Sequence, residues 1–110
     1  MNRAYVASKI GDTVHMTFLN GVAAGPTPLM RGQDFPPKEP TLIMLLPSQD
    51  VYIKVGSSAV SNPTTNDFLL LKNFYLPVLV ETASDAYLTR MGASADGFLK
   101  CTNVTDPDTD

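Results

Sequence analysis

The sequence has no tryptophan, a single histidine, His15, and a single cysteine, Cys101. One cysteine forms no internal disulfide, which removes the disulfide-stapled secreted scaffolds. One imidazole and one thiol do not build a zinc site alone, and no ligand spacing links them to the carboxylates. Basic side chains are also few: Arg3, Lys9, Arg31, Lys38, Lys54, Lys72, Arg90 and Lys100, no two adjacent, in a chain of formal net charge −3. Phosphate recognition needs clustered Lys and Arg, so nucleic acid is not the expected partner. The longest apolar run, Leu42 to Pro47, is far short of the roughly 20 residues a membrane helix needs. The N-terminal MNRAYVASKIGD lacks the apolar stretch of a signal peptide. A soluble protein made in a cytosol is expected, with no membrane partner.

Reactive constellations are missing too. Nine of the eleven carboxylates are Asp, most of them beside Gly, Pro, Ser or Asn, where they serve turns. Gly92 and Gly97 lack the lysine and the helix of a phosphate loop. Asn103-Val-Thr105 fits a glycosylation sequon, but without a secretion signal it has no use. His15 falls among polar neighbours, and no motif joins it to Cys101, a residue type that is usually core. The expectation is a protein that is not an enzyme, with no catalytic residues, no cofactor and no metal.

What the sequence does have is alternation of period two. In TVHMTFL, Val14, Met16 and Phe18 share one face, and Thr13, His15 and Thr17 the other. In DVYIKV, Val51, Ile53 and Val55 oppose Tyr52 and Lys54. Both read as strands with one buried side. Further strands are expected at Ala4–Ile10, which meets Thr13–Leu19 across a tight Gly11-Asp12 hairpin, and at Thr41–Leu46, Phe68–Leu71, Val78–Glu81, Ala86–Met91 and Phe98–Val104. Eight short strands at roughly ten-residue spacing make an all-β sandwich or barrel, and 110 residues make one domain, 1–110. The aromatic residues are read as core or cross-strand partners rather than as a sugar platform.

Area scaling buries about 65% of the unfolded surface of a chain this size, so the core is thin. Thr41–Leu46 and Phe68–Leu71 are apolar on both faces. Their second face needs a cover, either a loop of the same chain or another subunit. The loop Gly56–Asn66, GSSAVSNPTTN, has no His, Cys, Arg, Lys or carboxylate, and reads as a connector between strands.

Ala23–Pro40 holds five of the nine prolines and shows no strand pattern. Proline fixes φ and removes a donor, so a stiff extended arm is expected, with Leu29, Met30 and Phe35 as apolar anchors for a partner. Residues 105–110 form an acidic tail, expected to be solvated.

The C-terminal half has a further order. It runs VYIKVG, a Ser/Thr/Asn loop, DFLLL, LPVLVET and DAYLTRMGASADGFLKCTNV, closing on Gly97, Leu99, Thr102 and Val104. Over residues 50–104 this pattern resembles small β-sandwich virion proteins of tailed bacteriophages, and the size resembles their decoration, cement or staple proteins. The resemblance implies a jelly-roll-like antiparallel sandwich on the outer capsid surface of the virion, made in the host cytoplasm. It implies clamping of neighbouring major capsid protein subunits, as a homo-oligomer, dimer or trimer. The Pro-rich arm departs from that pattern. The arm, with Leu29, Met30, Arg31 and Phe35, and the N-terminal strand, with Arg3 and Tyr5, are the candidate capsid contacts. A head fibre base, a tail protein or a carbohydrate-binding module is the alternative.

Overall fold

The computed structural model describes residues 9–31, 35 and 37–105. Eight strands follow one another: β1 (Lys9–Phe18), β2 (Ala23–Pro28), β3 (Thr41–Pro47), β4 (Val51–Gly56), β5 (Phe68–Leu70), β6 (Leu76–Val80), β7 (Tyr87–Gly92) and β8 (Gly97–Thr105). The only helical element among the described residues is a single 3₁₀ turn, Ala83–Asp85.

The pairing is nested. β4 pairs with β5, β3 with β6, β2 with β7 and β1 with β8, each antiparallel, as in one long folded hairpin. Rolling that hairpin sends alternate pairs to opposite layers. β3–β8 and β4–β7 contacts then close two four-stranded sheets, β1-β8-β3-β6 and β2-β7-β4-β5. This is a jelly-roll sandwich, as the resemblance implied.

The core lies between the layers, where alternation puts it. Met16 and Phe18 of β1, Ile43 and Leu45 of β3, and Leu99 and Cys101 of β8 meet Val51 and Ile53 of β4, Leu70 of β5 and Leu88 of β7, all buried. Phe18 pairs with Gly97, whose missing side chain is required: a Cβ there would stand 2.7 Å from Ser48 Oγ and 2.9 Å from Phe18 Cζ.

Two expectations need correction. No hairpin forms at Gly11-Asp12. β1 runs through both residues, and its register with β8 shifts between Ile10 and Thr13. A dipeptide that turns in isolation is absorbed here as a bulge, because β8 is long enough to pair on either side of it. Residues 4–8 of the expected first strand lie outside the described residues. The second correction is the start of the Pro-rich arm. Ala23–Pro28 is β2, an edge strand paired with β7. An edge tolerates Pro26 and Pro28, since one side of the strand needs no donors. Among the described residues β1 replaces the expected hairpin, and β2 is a strand the pattern did not announce.

Candidate functional site

In a two-layer sandwich each sheet has an outer face, and here the two are treated differently. On β7, Thr89 stands opposite Lys54 of β4, on the outer side of its sheet, yet it is fully buried. The cover is the long loop between β4 and β5. Thr89 Oγ1 donates to the Ser61 carbonyl oxygen at 2.8 Å, and Lys54 Nζ donates to Ser61 Oγ at 2.9 Å. Pro63 of the same loop is buried. The loop is braced internally by Asp67, whose carboxylate accepts the Thr64 N–H at 2.7 Å and the Thr64 hydroxyl at 3.2 Å. That backbone hydrogen bond from Thr64 is the main reason the Asp67 carboxyl titrates below its ordinary value. The loop is thus more than the connector expected: it is a lid on one sheet.

The other sheet has an apolar outer face. Register places Leu79, Leu42 and Val104 in one cross-strand row, from β6 through β3 to β8. The next row is Pro77, Met44 and Thr102, continued by Thr13 of β1. Leu46, Lys100 and His15 follow. Leu79 is 56% exposed and Phe98, further along β8, is 38% exposed. Leu42, Met44, Leu46 and Val104 are half-buried, shielded along the row by one another, and Pro77 is exposed. Tyr75, just ahead of β6 and in step with Pro77 and Leu79, extends the surface at 64% exposure.

One corner of this face is rigid and concave. His15 meets Phe98 edge-on, with ring centroids 4.7 Å apart, and Lys100 Nζ lies 5.7 Å from the Phe98 centroid. Ser48 N donates to the Phe98 carbonyl at 2.9 Å, and Phe98 N donates to Ser48 Oγ at 2.9 Å. Asn73, in the left-handed region at φ 65°, donates its N–H to the Pro47 carbonyl at 2.9 Å. Together Leu46, Pro47, Ser48, Asn73, Phe98 and Lys100 enclose about 220 Å³.

The edge of the sheet beside this face is blunted. β6 carries Pro77, which has no N–H to offer. The N–H of Glu81, which follows β6, is taken by Asp85 Oδ1 at 3.2 Å, beside the Thr82 N–H that donates to the same oxygen at 3.0 Å in the capping box of the 3₁₀ turn. Side chains on the face, rather than free backbone on the edge, are what this side of the molecule presents.

Reactive groups are kept apart. His15 is exposed on the outer face, whereas Cys101 is buried on the inner face of β8, so the sheet separates them. Burial pushes the Cys101 thiol up to about 12, with Arg90 partly opposing the shift. Among the described residues no three His, Cys, Asp or Glu side chains cluster.

The contact residues expected from the arm fall into three groups. Leu29 and Met30 are 0% and 3% exposed in this chain's own core, and Leu29 N donates to the Ala86 carbonyl at 2.8 Å. They anchor the chain after β2 to its own sandwich and offer a partner no surface. Phe35 is half-buried and meets Tyr87 edge-on at 5.5 Å. Arg31 is exposed. Arg3 and Tyr5 lie outside the described residues. The outer face of β3 and β6 was not among the expected contacts, although Thr41–Leu46, apolar on both sides, carried its signal. Comparison with protein-family models, curated proteins and solved structures gives no match to this chain.

Proposed function

We propose that this chain is a structural virion protein of the tailed-phage type, a decoration or cement protein that binds the outside of a capsid and clamps neighbouring major capsid protein subunits. The observation that carries the reading is the apolar outer face of the β1-β8-β3-β6 sheet, on a jelly roll whose own loop crosses the other sheet at Thr89 and leaves this face uncrossed. An exposed, contiguous apolar surface on a small domain marks a site of association. A clamp needs shape and apolar area rather than catalysis, and weak contacts become strong when one unit bridges two sites.

Mixing the purified protein with empty capsids that lack it tests the reading. Co-sedimentation is expected, together with a higher temperature of capsid disruption. A protein that stays in the supernatant at saturating concentration, and leaves the capsid's melting unchanged, overturns it. A rise in the protein's melting temperature with oligosaccharide, in the absence of capsid binding, points to a carbohydrate-binding module instead.

A further inference from the structure

We infer that the outer face of the β1-β8-β3-β6 sheet is covered by the same face of a second copy of this chain. The inference rests on reading that face as an association surface and assigns it to the second copy, so other surfaces of the dimer contact the capsid, and its two halves bridge two sites.

Area is the first argument. Aromatic side chains present about 200 Å² each when free, so Tyr75 and Phe98 with Leu79, at the exposures above, leave roughly 300 Å² of apolar surface, and the half-buried β3 row raises this to about 500 Å². One such face lies at the upper end of what a lone soluble domain exposes. Two faces together hide about 1,000 Å², the size from which a specific interface is expected.

Charge is the second. Among the described residues no acidic side chain stands in the paired outer-face rows of this sheet, and Glu81, exposed just past Val80, lies at the rim beyond Leu79. The one fixed charge in those rows, Lys100, lies two rows from Leu79, past the Met44 row. A two-fold axis that lies in the interface, running along the strands between β3 and β6, therefore lays Leu42 on Leu79 and Met44 on Pro77 of the second copy and keeps the two lysines at opposite rims. No buried charge is left unpaired, which is the condition an isologous contact must meet.

Shape is the third. Twisted sheets pack face to face, aligned within about 30° of one another. Pro77 and the Asp85–Glu81 hydrogen bond discourage edge-to-edge extension into fibres. Face packing about a two-fold axis closes as a dimer.

Sedimentation velocity on the full chain at about 100 μM is the test. The expected mass is about twice 11.9 kDa. Leu79→Lys, at an exposed position that a lysine fits, should give a monomer with unchanged circular dichroism and melting cooperativity. Leu69→Lys, on the outer face of the other sheet, should leave the dimer intact. Raising the salt should leave the dimer intact. A monomeric or trimeric wild type, a dimer that survives Leu79→Lys, or association that salt dissolves (the mark of an acidic partner held by Lys100) overturns the inference. Capsid co-sedimentation is read separately: a monomer that still binds capsids sinks this inference alone, and a dimer that ignores capsids sinks only the proposed function.

Discussion

Arg90, on the inner face of β7, donates its Nε–H to the backbone carbonyl of Thr17 on β1 at 2.7 Å. Its Nη1 donates to Thr27 Oγ1 on β2 at 2.8 Å. β1 and β2 are edge strands of opposite sheets, so one guanidinium ties the two layers together where the sandwich would otherwise open. Burial pushes Arg90 below its ordinary value, but guanidinium keeps its charge at neutral pH.

Replacing Arg90 with Ala leaves the Thr17 carbonyl without its donor and empties space between the sheets. A loss of about 2–4 kcal/mol is expected from the unsatisfied acceptor and the cavity combined. Urea unfolding should show it as a lower midpoint at unchanged slope. Arg90→Met keeps most of the volume and should recover part of the loss.

Thr89→Val keeps the shape of the side chain and removes the hydroxyl that donates to Ser61. The cost should be about 0.5–1.5 kcal/mol, the net contribution of one hydrogen bond, since Ser61 is exposed and water can reach its carbonyl once the donor is gone. Amide exchange should quicken in the loop between β4 and β5 while β3 and β8 remain protected. Uniform acceleration across both sheets would show that the loop is not a separable lid.

Cys101 gives a pH prediction. Burial raises its thiol from 9.0 to about 12, so folding favours the neutral form. The stability this contributes is present below about pH 9 and is lost as pH climbs towards 12. Wild-type melting temperature should therefore fall more steeply between pH 9 and 12 than that of Cys101→Ala. The native thiol should also react slowly with a disulfide reagent at pH 8 and quickly in urea.

Removal of Ala24–Pro37 takes out most of β2 together with Leu29 and Met30. The expected product is unfolded, because the β2-β7-β4-β5 sheet loses an edge strand and the core two of its side chains. Leu29→Ala alone should cost about 2–5 kcal/mol. A folded deletion variant, by melting and near-ultraviolet dichroism, would show instead that this segment is an appendage.

Much of the sandwich is legible in side-chain alternation. Val14, Met16 and Phe18, and Val51, Ile53 and Val55, face inward because a strand sends successive residues to opposite sides. Gly11-Asp12 misled because turn preference is local, while pairing with β8 is not. Ala23–Pro28 misled for the converse reason: its prolines argue against a strand, and only the free edge beside β7 makes them acceptable. Leu29 and Met30 looked available because composition does not say which apolar residues have neighbours.

Side-chain alternation and chain length are enough to specify an all-β protein with strands of period two, a thin core and more apolar surface than two inner faces can hold. The tertiary structure alone decided where that excess goes. The loop from Ser57 to Asp67 crosses one outer face, and the outer face of β3 and β6 stays open. Alternation is a property of the chain one residue at a time, whereas burial depends on which distant segment arrives on top.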